Sequence, residues 1–206
     1  MRRFFVLALV MLLAGLAQAK NYVVNGDMET GGSSSTPPSG WSINSPNTAV
    51  VSADVPPGGG AKSVKLHKTG TGEVRFSRTV SGLTGNTPYI FDFWFKGSQI
   101  DVSMSYGSNV FESRTIFWEY YFDPKNPDPE TTWTYAPFYD YGPYPWVVKT
   151  PAGATSISIV FRLPWNDATA YLDNVRLVDN PEPASLSILA LAGLGMFLRR
   201  RRRFRG

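Results

Sequence analysis

Apolar side chains recur at every second position along much of this chain, a period that sets successive residues on opposite faces of a β-strand. From Tyr89 to Lys96 the register puts Tyr89, Phe91, Phe93 and Phe95 on one face and Ile90, Asp92, Trp94 and Lys96 on the other. Ile157, Ile159, Phe161 and Leu163 alternate with Ser158, Val160 and Arg162, and Val74, Phe76 and Val80 share a face with Arg78. Tyr171, Asp173, Val175 and Leu177 alternate in the same way with Leu172, Asn174 and Arg176. Glycine-bounded turns at 70–72 and 82–85 separate the runs, and no window between Lys20 and Asn180 carries a helical stripe. One buried and one wetted face per strand is the signature of paired antiparallel sheets. The pattern predicts an all-β domain, a single β-sandwich.

Both ends break the alternation. Arg2 and Arg3 precede an apolar run from Phe4 to Leu16, and Ala17-Gln18-Ala19 follows it with small residues. Basic, apolar, then small is the order of a secretory signal peptide. Residues 1–19 are accordingly read as that peptide, with Lys20 opening the mature chain; a membrane-anchoring helix is the competing reading. At the other end Pro181, Glu182 and Pro183 precede Ala184 to Leu198, 15 residues without a charge, and Arg199, Arg200, Arg201, Arg202, Arg203 and Arg205 follow. As a helix that run is ~22 Å long against a hydrocarbon core of roughly 30 Å. Snorkelling arginines and local thinning of the bilayer accommodate the difference, and the basic cluster stays on the cytoplasmic side. The two prolines keep Glu182 extended and accessible.

This order over residues 181–206 resembles the PEP-CTERM sorting signal of Gram-negative bacteria. The resemblance implies recognition of Pro181, Glu182 and Pro183 by an exosortase, a membrane-embedded cysteine protease or transpeptidase. It also implies transient anchoring in the inner membrane and delivery to the cell surface or extracellular matrix. A plain C-terminal anchor is the alternative reading of the same residues.

Composition changes meaning once these ends are set aside. The whole chain is formally +4, yet two of its cationic residues precede Lys20 and six follow Asn180, leaving 12 Lys and Arg against 15 Asp and Glu in residues 20–180. A mildly acidic domain without a basic stripe is a poor partner for a phosphate backbone, so no nucleic acid is expected. The chain has no cysteine, which excludes disulfides, thiolate metal sites, a cysteine nucleophile and a lipidated N-terminal cysteine. Residues 20–180 are enough for one domain with a substantial core.

The order of segments in that domain carries a second resemblance. The run Asn21 to Glu29, a Gly/Ser/Pro loop and Gly40-Trp41 come first; Lys62 to Leu66, the Tyr89–Gly97 strand, Thr132 to Thr134, Thr150 to Ile157 and Ala170 to Leu177 follow. The series is similar to the galactose-binding-like jelly roll of bacterial carbohydrate-binding modules, although Phe111 to Trp146 is longer and richer in aromatics and proline than that pattern. The resemblance implies one structural calcium ion, with Glu29 and Asp173 as side-chain ligands and backbone carbonyls, one near Lys65, completing an oxygen shell. The other reading of these two acids is that they satisfy turn backbone groups. It implies core positions for Trp41 and Trp133.

Sugar recognition needs exposed rings on which pyranose C–H faces stack, with polar groups beside them. The candidates are Trp94, on the strand face with Asp92 and Lys96, Trp118 with Tyr120, and the loop residues Tyr144, Trp146 and Trp165. Each ring is also a candidate for burial, because Trp is highly buried on average. Catalytic signals are sparse. His67 is the only histidine, there is no Gly-x-Ser-x-Gly, and Ala61 stands where a phosphate loop needs glycine. These residues point to an exported, non-catalytic protein that engages exopolysaccharide or another envelope glycan. A structural matrix protein of the same fold is the alternative, and a paired-carboxylate glycosidase comes third.

Overall fold

The computed structural model of the chain describes residues 20–44, 48–68, 72–97, 99–117, 133–136, 146–164 and 168–180. They form β1 (Ser42–Ile43), β2 (Ala49–Ser52), β3 (Ser63–His67), β4 (Val74–Ser81), β5 (Pro88–Gly97) and β6 (Gln99–Tyr106). After these come β7 (Asn109–Phe117), β8 (Thr134–Ala136), β9 (Trp146–Lys149), β10 (Ser156–Leu163) and β11 (Thr169–Asp179). A five-stranded sheet runs β1-β4-β10-β6-β7; a six-stranded sheet runs β2-β3-β11-β5-β8, with β9 also paired to β5. All pairings are antiparallel. The two sheets form the all-β sandwich that the alternation predicts. Among the described residues no helix is long and apolar enough to cross a membrane. The signal peptide and the sorting segment lie outside the described residues.

The core follows from the strand registers. Phe91 and Phe93 of β5 meet Phe161 of β10, and with Phe95 and Phe76 of β4 they lie buried in one apolar cluster. Phe93 and Phe161 pack edge-on at 5.2 Å, while Trp41 stacks flat on Phe76 at 4.5 Å. Each such side chain removed from water contributes ~1.5–3 kcal/mol, which is how a chain without disulfides holds two sheets together. Arg78 is expected on this inner row and instead closes its rim. It lies over the Trp41 ring at 5.8 Å and donates from Nη1 to the Ser39 carbonyl. Burial holds its pKa below the ordinary arginine value.

The strict alternation expected along β11 fails at one place. A bulge between Asp173 and Arg176 shifts the register against β5, with Asn174 at φ 48°. An extra residue in one strand reverses the phase of everything after it. Leu172 therefore faces the core with Val175 and Leu177, and Tyr171 faces outward. The chain's entry crosses at the bulge: Val175 N–H donates to the Gly26 carbonyl at 2.8 Å. A Cβ on Gly26 would stand 2.0 Å from the Val175 oxygen, so only glycine fits. Tyr22 N–H donates to the Leu177 carbonyl and Asn21 bridges Val178. Lys20 and Asn180 thus leave from the same end of the sandwich.

Candidate functional site

The outer face of the six-stranded sheet is where the described aromatic and charged side chains gather. Tyr171 of β11 pairs with Lys65 of β3 on one side and Lys96 of β5 on the other. Their ammonium groups lie 5.8 and 4.9 Å from the ring centre, within reach of its negative face. The next outward row runs Asp173, Trp94, Tyr135 across β11, β5 and β8. Trp94 and Tyr135 are both half-buried, with ring centres 5.4 Å apart and planes inclined at 58°.

Fixed polar pairs frame these rings. Arg176 donates from Nε to Asp92 Oδ1 at 2.7 Å and from Nη2 to Oδ2 at 2.9 Å, a bidentate fork, and Nη2 also reaches the Tyr135 hydroxyl at 2.8 Å. The carboxylate raises the Arg176 pKa further above its usual value. Burial, with Asp92 beside it, raises that of Tyr135. Asp54, from the loop after β2, pairs with Lys96 Nζ and accepts from Trp133 Nε1 at 2.9 Å. Burial works to raise the Asp54 pKa, but the Lys96 and Trp133 hydrogen bonds outweigh it and hold the carboxyl below its ordinary range. Rings held at defined angles between such pairs lose little side-chain freedom on meeting a ligand.

The same loop continues over the two acids named as calcium ligands. Glu29 Oε1 accepts from Ala61 N–H at 2.6 Å and Lys62 N–H at 2.9 Å. Asp173 is wholly buried. Its Oδ1 accepts from Asn174 N–H at 2.6 Å, while Oδ2 has no partner. A Cβ on Gly59 would fall 3.0 Å from Asp173 Oδ2, and one on Gly60 1.9 Å from Glu29 Oε1. The glycine run therefore lies directly on both carboxylates. Burial, with the Asn174 amide opposing it and the charges of Glu29 and Asp27 adding to it, pushes the Asp173 pKa up to about 7. A carboxylate oxygen buried without a donor is costly unless a proton or a cation meets it. Among the described residues no group of three or more acidic, histidine or cysteine side chains stands together. Any cation here needs backbone carbonyls as well.

The named ring candidates separate. Trp94 lies on the outer face, as its register requires. Trp146 does not: it opens β9 opposite Phe91, is 1% exposed, and packs edge-on against that ring at 5.1 Å. Its Nε1 donates to Glu112 Oε1 at 3.1 Å, and the Arg114 guanidinium covers its face at 4.5 Å. No sugar reaches it, so its place as a solvent-facing platform is corrected to a core position. Trp118, Tyr120, Tyr144 and Trp165 lie outside the described residues, as do Pro181, Glu182, Pro183, Arg199, Arg200 and Arg201. Trp41 is in the core as expected. Trp133 is buried too, but against Tyr171 on the outer face, ring centres 6.2 Å apart, and not in the main apolar cluster. Tyr171 and Tyr135 were not anticipated. The bulge hid the first, and a strand of three residues carries too little pattern to reveal the second.

No family model and no curated protein sequence matches the chain. Solved structures do. A carbohydrate-binding module, TmCBM61 in complex with β-1,4-galactotriose, superposes with a TM-score of 0.54 at 19% identity, covering 79% of this chain and 100% of that one. The enzymatically active domain of bacteriophage CBA120 tailspike protein 4 gives 0.52 at 19% identity, over 76% of this chain and 21% of that one. At such identities the likeness is one of fold, the carbohydrate-binding-module jelly roll.

Proposed function

We propose that this chain is an exported, non-catalytic glycan-binding protein whose outer six-stranded face receives a polysaccharide. The observation that carries this reading is the joint placement of Trp94, Tyr135 and Tyr171 on one face, between the Asp92–Arg176 and Asp54–Lys96 pairs. Rings offer stacking surface to pyranose C–H groups, and the paired side chains fix hydroxyl orientation. The fold likeness to a module bound to a galactose oligomer supports the substrate class without naming the sugar. Immobilised polysaccharides and a glycan array, probed with the mature chain, test it. Retention on at least one polymer is the expected result; silence on all of them would favour a structural matrix role.

A calcium ion at Asp173 and Glu29 belongs to the same proposal. The donor set is all oxygen, and Asp173 Oδ2 lacks any other partner, which suits a hard cation. Its work there is to tie the glycine loop to the bulge of β11. The Pro181-Glu182-Pro183 tail and its arginine cluster make the chain an exosortase substrate, anchored briefly in the inner membrane before release to the cell surface or matrix. Intact mass of protein from the medium tests this: recovery of protein still carrying Arg199 to Gly206, or normal maturation of Glu182→Ala, would sink it.

A further inference from the structure

Lys20 and Asn180 meet at one end of the sandwich, and the loops gathered there form a single hydrogen-bonded surface. Thr150 Oγ1 donates to the Thr84 carbonyl at 2.7 Å and accepts from Thr87 N–H, tying the β4–β5 and β9–β10 connections together. Leu83 N–H donates to the Thr155 carbonyl. The Tyr106 hydroxyl reaches the Gly153 carbonyl at 3.4 Å, bringing in the tip of the β6–β7 hairpin. The chain ends close the set. Tyr22 donates to Asp179 at 2.9 Å, and Lys20 Nζ sits 4.4 Å from the Tyr22 ring centre.

This end presents both apolar and cationic side chains to its surroundings. Tyr106 is 40% exposed and Val110 56%, two of the four large apolar side chains exposed among the described residues. Lys20 and Lys149 are exposed at the same end of the sandwich. At the tips, Gly107 and Gly153 have nothing within 4 Å of where a Cβ would be, so neither tip is occluded.

The length of the following chain says what this end meets. Only Pro181, Glu182 and Pro183 separate Asn180 from the apolar run at Ala184. Four residue steps span at most ~14 Å when fully extended. The headgroup layer on each side of the hydrocarbon takes up about 5–8 Å of that. With the tail in the bilayer, the end carrying Lys20, Tyr106, Val110 and Lys149 is held against the headgroups. Tyrosine is at home in that layer, a small apolar tip inserts at its edge, and lysines reach phosphate.

We propose that this end of the sandwich is a lipid-docking surface for the anchored precursor, seated on the outer leaflet of the inner membrane. The Trp94 face is then held side-on to the bilayer, and Pro181-Glu182-Pro183 is confined to the narrow gap where a membrane-embedded protease works. The inference rests on the tail reading above and not on the glycan reading.

The chain has no cysteine, so a single introduced thiol is a unique label. The chain from Lys20 to Gly206 would be reconstituted in phosphatidylethanolamine–phosphatidylglycerol vesicles carrying nitroxide headgroups, as Val110→Cys or Gly72→Cys. Gly72 is at the opposite end, and a Cβ there meets nothing within 4 Å. A fluorophore at residue 110 should be quenched several-fold more than one at residue 72, and Lys20→Glu with Lys149→Glu should reduce the difference. Equal quenching at both positions in chains that float with the vesicles overturns the docking. Failure to float removes the tail reading, and the docking with it, while polysaccharide retention by the same preparation is scored separately.

Discussion

The two outer faces of this sandwich are built on the same alternation and carry opposite chemistry. The six-stranded sheet turns Trp94, Tyr135 and Tyr171 outward with charged partners around them. The five-stranded sheet turns out Ser77, Thr79, Ser103, Ser105, Ser113, Thr115, Ser156 and Ser158, with Arg75, Asp101 and Arg162 in one row at its end. Small hydroxyls satisfy the pleated surface and offer little area to a ligand; rings offer area that water does not hold strongly. Since the core beneath is shared, the difference lies in which side chains each face leaves outward.

The largest effect should come from the layer beneath both faces. Trp146→Ala empties a fully buried site and removes the indole donor to Glu112, so ~3–5 kcal/mol of stability should be lost. Denaturant melts would show it, and a loss under 1 kcal/mol would return Trp146 to the list of exposed rings. This variant calibrates what a core loss looks like.

Next comes Asp173. Its folded pKa of about 7 stands above the unfolded value of 3.8, so the native state holds more protons between those values. The contribution of this carboxyl to stability in chelator should therefore be fully present below about pH 4 and be lost as pH rises to about 7, by at most on the order of 4 kcal/mol. Asp54 shifts the other way and titrates below this window. Calcium at a hundredfold excess over Kd should restore ~2.7 kcal/mol at neutral pH and flatten the profile. A midpoint indifferent to calcium, with Asp173→Asn unchanged, would leave these acids as turn residues.

Trp94→Ala tests the ringed face itself. Loss of polysaccharide affinity should be ~1–2 kcal/mol, seen in affinity electrophoresis, with stability lowered less than by Trp146→Ala. The smallest effect is expected on the other face. Ser105→Ala with Ser158→Ala should stay within about 0.5 kcal/mol of the parent in stability and leave affinity unchanged. If affinity instead falls for the serine variant and holds for Trp94→Ala, the glycan face has been assigned to the wrong sheet.

The strands that the alternation marks out from residue to residue, β5 and β10, are long; period and burial agree along all of β10 and along β5 except at Asp92, which is buried under its Arg176 partner. Along β11 strict alternation holds within each half and fails between them, because the bulge puts Leu172 on the same face as Val175 and Leu177. A bulge depends on how Gly26 crosses the strand, a contact 149 positions away in sequence, and nothing local announces it. Trp146 was misplaced because Tyr144-Pro145-Trp146 reads as a loop. The four residues of β9 are too few to show that their alternation starts at that ring. Glu29 and Asp173 were paired by resemblance. Their nearness, and the glycines lying on them, appear only in three dimensions.

The Glu112–Arg114 pair around Trp146 has a consequence for life at high local concentration. Among the described residues β7 is the outermost strand of its sheet, nine residues long, and a long open strand invites a second copy to add on. Both charged side chains point into the sandwich mouth and are tied to each other at 3.1 Å and to the indole beneath. A neighbour pairing with β7 in a slipped register would pull the pair off Trp146 or bury it without partners. The pair thereby keeps this edge from becoming a template, in a chain with no disulfide to fix it.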